Sequence, residues 1–137
     1  MECGILFYTA RKTSFCERAL KKRLSEHMLI TKSVSFASDC KALGKKLGED
    51  FERLNIVFVI GGLGFTDGRN IASILSRAID FDVDEVKKLK NSSGDDGYLI
   101  KKGRQLLILL PDEPAQIEEI MSGPISSYIK RNLSVNA

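Results

Sequence analysis

Apolar positions along this chain fall into two kinds of pattern, unbroken short runs and stretches where they recur every three or four residues. Gly4–Thr9, Ile56–Ile60 and Leu106–Leu110 are runs of the first kind. Runs of that length suit strands whose two faces are both covered. Leu29–Phe36 alternates more loosely and suits a strand nearer the sheet edge. Between the runs the period lengthens to that of a helix. Phe15, Ala19, Leu20 and Leu24 form one stripe, with Thr13 or Ser14 placed to cap it. Ser38 or Asp39 is placed to cap a second helix, with Cys40, Leu43, Leu47, Phe51 and Leu54 pointing inward. Gly44 and Gly48 in that helix each cost about 1 kcal/mol against Ala, and their spacing suits close approach of a neighbouring element. Ile71, Ile74, Leu75, Ala78 and Ile79 make a third stripe.

The stretch 81–90 is ambiguous, and Val83, Val86 and Leu89 fit a short helix. Asn91–Gly97 is rich in turn formers, and Tyr98–Ile100 leads into a hairpin at Lys102-Gly103. Pro111 stops the last strong run, and Asp112 is placed to cap a helix carrying Ile117, Ile120 and Met121. Gly123-Pro124 should break or kink that helix, and Ile125, Tyr128, Ile129 and Leu133 continue on a terminal one. Strands alternating with helices predict a three-layer α/β/α architecture with a mostly parallel sheet and a small antiparallel hairpin. The length, 137 residues, suits a single domain spanning 1–137.

Composition narrows the chemistry. With 43% hydrophobic residues the chain can build a core, and a net charge of +3 is mild. Its basic clusters, Lys21-Lys22-Arg23, Lys45-Lys46 and Lys87-Lys88, read as solvated faces and not as one dense stripe for nucleic acid. Three cysteines without a C-x-x-C pair suggest reduced thiols in a cytoplasmic protein. The one histidine, His27, reads as a helix cap or surface residue, so a histidine-dependent metal centre or hydrolytic triad has little to stand on. No stretch approaches the roughly 20 apolar residues of a membrane span, and the N-terminus lacks the basic region of a secretory signal.

The most informative segment is Ile60-Gly61-Gly62-Leu63-Gly64-Phe65-Thr66, a buried strand running into a glycine turn and then a helix. In open α/β sheets ligands bind at the carboxyl ends of the strands. Glycines there let main-chain N–H groups approach an anion with no Cβ in the way, and a following helix adds its positive end. The turn is neither the Walker sequence nor the dinucleotide fingerprint.

Gly61-Gly62-Leu63-Gly64-Phe65-Thr66 resembles the Gly-Gly-Leu-Gly-Pro-Thr signature of the molybdopterin-binding domain, which occurs in molybdenum cofactor biosynthesis proteins and at the N-terminus of competence/damage-inducible protein A. Asn91-Ser92-Ser93-Gly94 followed by Gly97-Tyr98 is similar to that family's Asn-x-x-Gly-x-x-x-Gly turn. Leu109-Leu110-Pro111-Asp112-Glu113-Pro114, with Ile117 and Met121 beyond it, is similar to its Leu-Pro-Gly-x-Pro segment and following helix. The resemblance extends from about Gly4 to Leu133 and implies a pocket for molybdopterin or a nucleotide, and a homo-oligomer such as a trimer. Gly61, Gly62, Gly64, Thr66 and Arg69 are expected to contact the phosphate, with Ser92, Ser93 and Gly94 closing the other side.

The departures matter equally. Adenylating family members place an acid three positions after the Thr, where it helps hold magnesium; here that position is Arg69. The family's first strand runs into an Asp-containing turn, whereas Tyr8-Thr9-Ala10-Arg11 has no carboxylate. Asp112 replaces a glycine between prolines, and the segment from Ile79 to Asn91 is shorter than in family members. Chemistry at a triphosphate needs magnesium held by carboxylates. A guanidinium can substitute for the metal in binding but not in activation. Arg69 therefore reads either as an anion contact or as a solvent-facing residue at a helix start. Asp67 and Asp96 are the candidate catalytic acids, and no metal site of its own is predicted. Asp95, Asp96, Asp112 and Glu113 sit on loops from which a magnesium site could be rebuilt, although turn and cap roles also explain them. The expected function is binding of a small phosphate-bearing pterin or nucleotide with little or no turnover. The alternatives are a magnesium-dependent adenylyltransferase or an ADP-ribose pyrophosphatase-like enzyme, and a structural module that binds nothing.

Overall fold

The all-apolar run Ile56–Ile60 (β3) is fully buried at the middle of a six-stranded sheet. A computed structural model describes residues 1–65, 70–71 and 84–136, without the side chains of 132–136. In chain order β3 is preceded by β1 (Glu2–Tyr8), α1 (Thr13–Glu26), β2 (Ile30–Ala37) and α2 (Cys40–Phe51). It is followed by β4 (Glu85–Leu89), β5 (Gly97–Lys102), β6 (Gln105–Leu110), α3 (Pro114–Met121) and α4 (Ile125–Asn136). The strands lie in the order β2-β1-β3-β6-β5-β4. β2, β1, β3 and β6 run parallel. β5 and β4 close the far edge as antiparallel strands.

Alternation along the central strands sorts their side chains to two layers of helix. Ile5, Phe7, Phe58 and Ile108 pack with Leu20 and Leu24 of α1, Ile117 and Ile120 of α3, and Ile129 of α4. Leu6, Tyr8, Val57, Val59 and Leu107 pack with Leu43 and Leu47 of α2 and with Leu63 and Ile71. The rest of the third predicted stripe, Ile74, Leu75, Ala78 and Ile79, lies outside the described residues, as does Val83. Cys3 and Cys16 are buried, and burial pushes both thiols up to about 11, so neither is a reactive thiolate. Among the described residues no helix is long and apolar enough to cross a membrane.

Several local readings are corrected. Glu85–Leu89 is a strand and not a short helix: each of its residues pairs with β5, from Glu85 opposite Lys101 to Leu89 opposite Gly97. A backbone ladder outweighs the weak helical spacing of Val86 and Leu89. In α1 the buried stripe is Cys16, Leu20 and Leu24, and Phe15 is 60% exposed. Neither Thr13 nor Ser14 caps it; the N-cap is Lys12, held left-handed at φ 52° with no side-chain capping bond to the helix. Asp39 does cap α2, accepting from the Ala42 amide at 2.8 Å. Cys40 is exposed, and nothing lies within 4 Å of where a Cβ would stand on Gly44 or Gly48. The close approach occurs at Gly4, whose Cβ would meet Leu54 at 3.1 Å and the buried Asp50 carboxylate at 3.2 Å. Asp112 does not cap α3, whose N-cap is Glu113 with Pro114 next. His27 closes α1 as expected, and its Nε2 lies 3.2 Å from Ser126 Oγ.

The chain path sets where a ligand fits. From β1 the chain passes through α1 to β2 on one side, then through α2 to β3 on the other. This reversal opens a crevice at the carboxyl ends of β1 and β3. Gly61 follows β3 directly at φ +108°, and a Cβ on it would stand 2.3 Å from the Tyr8 carbonyl oxygen. Gly61→Ala is therefore expected to lower unfolding stability by about 2 kcal/mol or more, from backbone strain and displacement of β1. Gly44→Ala, on the open face of α2, is expected to raise it by about 1 kcal/mol. Denaturant titration of both variants checks the contrast.

Candidate functional site

A cleft of about 370 Å³ sits at that crevice, bounded by the loops that leave β1, β3 and β6. Thr9 and Arg11 come from the first loop, Gly61 to Phe65 from the second, and Pro111 and Asp112 from the third. Asp95 reaches in from the loop before β5.

The glycine turn is shaped by packing before any ligand is considered. Gly61 donates its amide to the Leu110 carbonyl at 2.9 Å, tying the ends of β3 and β6 together while β1 presses on its α-carbon. Gly62 turns at φ +80°, and a Cβ on it would lie 2.6 Å from the Tyr8 ring. Gly64 is different: a Cβ there meets only Asp95 Oδ2, at an ordinary 3.4 Å. The carbonyls of the turn are drawn back into the protein. Gly62 accepts from the Ile71 amide at 3.0 Å, and Asn70 Nδ2 donates to Leu63 at 3.2 Å and to Phe65 at 2.8 Å. The amides of Gly62, Leu63 and Gly64 donate to no group among the described residues. All three residues line the cleft.

On the opposite wall Arg11 and Asp112 join the first and third loops. Asp112 Oδ2 accepts from the Arg11 amide at 2.8 Å and from its Nε at 3.2 Å, and Oδ1 takes Nη2 at 3.4 Å. Beside them Lys12 Nζ meets Glu113 Oε2 at 2.6 Å. Burial pushes the Asp112 carboxyl up, but the Arg11 guanidinium and amide outweigh it and hold the group below its ordinary range. The guanidinium itself is 83% exposed, so it can leave the carboxylate for another anion at little cost.

Not every predicted contact gathers here. Gly61, Gly62 and Gly64 line the cleft, whereas Ser92, Ser93 and Gly94 do not. Ser92 spends its amide and hydroxyl on Glu119 of α3, at 2.7 and 2.6 Å. Ser93 donates its amide to Asn91 Oδ1 at 3.1 Å, and a Cβ on Gly94 would strike Gln116 at 2.6 Å. The loop is thus folded onto α3 around the buried Asn91, which donates to the Asp95 carbonyl at 3.1 Å and to Gln116 Oε1 at 2.8 Å. Asp96, a candidate catalytic acid, accepts from the Asn91 amide at 2.9 Å and lies outside the lining. Thr66, Asp67 and Arg69 lie outside the described residues. Among the described residues no group of three or more His, Cys, Asp or Glu is gathered as a metal ion requires.

Residue patterns alone missed three participants. Thr9 and Arg11 enter only because β1 ends beside β3, and Asn70 clamps the turn through side-chain bonds that no periodicity marks. Of the four loop acids, Asp95 and Asp112 line the cleft, and Asp96 and Glu113 do not.

By sequence the chain matches no family model and no curated protein. Its fold matches solved structures over nearly their whole length. The protein CinA from Thermoplasma acidophilum, described as of unknown function, aligns with a TM-score of 0.76 at 14% identity, covering 93% of this chain and 97% of that one. The molybdopterin biosynthesis Mog protein from Mycobacterium ulcerans aligns at 0.72 and 14%, covering 96% and 98%. The tungsten cofactor synthesizing protein MoaB from Pyrococcus furiosus aligns at 0.65 and 14%, covering 97% and 94%. This chain therefore shares the three-layer α/β fold of these structures.

The lowered Asp112 carboxyl sets a pH dependence. A carboxylate held below its unfolded value contributes stability that is full above that value, ordinarily about 3.8, and is lost as pH falls through the folded one. Asp112→Asn is expected to lower Tm slightly at pH 7. The gap to wild type should close as pH drops below the ordinary Asp range, and 0.5 M salt should narrow it. Thermal scans from pH 7 to pH 2.5 measure it.

Proposed function

We propose that this chain is a divergent molybdopterin-binding-like domain that holds a phosphate-bearing pterin or nucleotide in the cleft, in the service of molybdenum cofactor biosynthesis, with little or no turnover. The observation that carries this reading is the glycine turn: Gly62, Leu63 and Gly64 line a cleft of about 370 Å³ with amides that donate to nothing else among the described residues. A volume of that order suits a small ligand. Unengaged amides at a strand tip suit phosphate oxygens, and Arg11 adds a guanidinium that can turn from Asp112 to a phosphate. The fold likeness supports the same assignment, since neighbours of this fold are titled as molybdopterin or tungsten cofactor biosynthesis proteins.

Asp95 and Asp112 both line the cleft, and that observation favours a second reading. Two carboxylates could hold magnesium for adenylyl transfer or for hydrolysis of a pyrophosphate bond. Against it, Asp112 is already bound to Arg11 through three contacts.

Isothermal titration with GMP, AMP and inorganic pyrophosphate, with and without magnesium, separates the two. On the binding reading at least one of these ligands binds without magnesium. Arg11→Ala, and Gly64→Val at a position free of backbone strain, each weaken it about tenfold. No heat from any of them in folded protein contradicts the proposal. Magnesium-dependent turnover of ATP or ADP-ribose that is lost in Asp95→Asn would replace it with the enzymatic reading.

A further inference from the structure

Among the described residues β2 and β4 form the two edges of the sheet, and they are built differently. β4 carries Lys87 and Lys88, with Lys90 just beyond it, and charge along an edge strand discourages a further strand from pairing. β2 is the longest strand of the sheet and carries one charge, Lys32, whose Nζ lies 3.7 Å from Glu2 of β1. Of the six large apolar side chains exposed among the described residues, Met28, Ile30, Val34 and Phe36 belong to β2 or to the turn that enters it. Exposed apolar residues scattered singly need no explanation, but several in one short stretch do.

The ladder with β1 fixes which groups of β2 face outward. Lys32 is an extra residue in the register between Cys3 and Gly4, and from Ser33 to Ala37 the pairing is regular. Ala37 gives its carbonyl to the Thr9 amide at 3.1 Å, so its main chain turns toward β1. Alternation turns Ser35 and Ser33 the same way and points the N–H and C=O groups of Val34 and Phe36 off the sheet. The side chains of Val34 and Phe36 share a face with Ile5 and Phe7, and the Phe36 ring is stacked on Phe7 with centroids 5.1 Å apart. Phe36 is nonetheless 60% exposed and Val34 37%, while Ile5 and Phe7 are buried. On this face Leu20 and Leu24 of α1 cover β1 and leave Val34 and Phe36 bare.

We propose that β2 pairs with β2 of a second copy of this chain, antiparallel about a two-fold axis at Ser35, so that two sheets join edge to edge. A two-fold axis requires a stretch that matches itself when reversed. Ser33-Val34-Ser35-Phe36-Ala37 is such a stretch, small and apolar side chains alternating symmetrically about Ser35. In this register Val34 lies opposite the partner's Phe36, and the two exchange main-chain N–H and C=O groups. A β-branched and an aromatic side chain then pair across the join, a favourable cross-strand combination. The Ser35 hydroxyl, which has no partner in its own chain, comes opposite the partner's Ser35. Lys32 falls opposite the partner's Ser38, whereas an axis one turn of the pleat away, at Lys32, would set like charges face to face. None of the residues from Ser33 to Ala37 lines the cleft, so this inference stands apart from the ligand.

Sedimentation velocity over a concentration series tests it, with far-UV circular dichroism confirming that each variant folds. The wild-type chain is expected to be a dimer at about 0.1 mM. Val34→Lys gives β2 the kind of charge that β4 carries, and it and Phe36→Asp are each expected to weaken association about tenfold or more. Val86→Lys, on the β4 edge, is expected to leave association unchanged. Ser35→Cys, with the exposed Cys40 replaced by Ser, is expected to form a disulfide between copies on mild oxidation. Residues opposed in this way have α-carbons about 4.5 Å apart, within the span of a disulfide. A wild-type chain that stays monomeric overturns the inference and leaves the edge to an extended segment of another protein. A dimer or trimer that persists in both Val34→Lys and Phe36→Asp overturns it too, because another face then holds the copies together. A dimer in which Ser35→Cys forms no such disulfide overturns the axis at Ser35.

Discussion

The Tyr8 carbonyl and the α-carbon of Gly61 meet at a distance that no side chain can share. With a Cβ at that position the contact would be 2.3 Å. Because it is absent, the tips of β1 and β3 close against each other, and the Gly61 amide reaches the Leu110 carbonyl on β6. Three loops then leave the sheet from nearly one point, and the cleft is the space between them. The following glycine continues the same constraint by accommodating the Tyr8 ring. Both residues are required by the packing of a tyrosine in a buried strand, whatever the cleft holds. Gly64 is not, and so among the three glycines it speaks most directly to a ligand.

Polarity follows from that geometry. Asn70 and Ile71 draw the turn's carbonyls inward, while the amides of Gly62, Leu63 and Gly64 have no partner among the described residues. Across from them the charges are arranged with restraint: one guanidinium already occupied by Asp112, and one carboxylate, Asp95, occupied by nothing described. Among the described residues the cleft thus mixes donors and acceptors.

The sequence and the structure agree where burial dictates both. β3 and β6 are continuous apolar runs because both of their faces are covered, so their existence and the parallel sheet could be read directly. β4 could not, because its only buried residue is Leu89 and its identity comes from pairing with β5. In α1 the stripe through Leu20 and Leu24 held and only its first position differs, Cys16 in place of Phe15, since both are apolar and only packing chooses between them. At the site, the glycine turn was visible as a motif. Asp95 and Asp112 could be placed on loops near it, but the pairing of Arg11 with Asp112 could not, because it depends on which loops the sheet order brings together. Ser92 and Ser93 carried the right chemistry for a phosphate, but their backbone or hydroxyl donors were taken by Glu119 and Asn91.

The central claim is that unengaged main-chain amides at the tip of β3 hold the ligand. An amide-resolved NMR titration with GMP measures this directly, because each N–H reports its own hydrogen bonding. The account predicts that the Gly62, Leu63 and Gly64 resonances shift most and saturate together, while the Gly61 amide, already bonded to Leu110, moves little. Saturable binding that shifts amides elsewhere and leaves these three unmoved would contradict it.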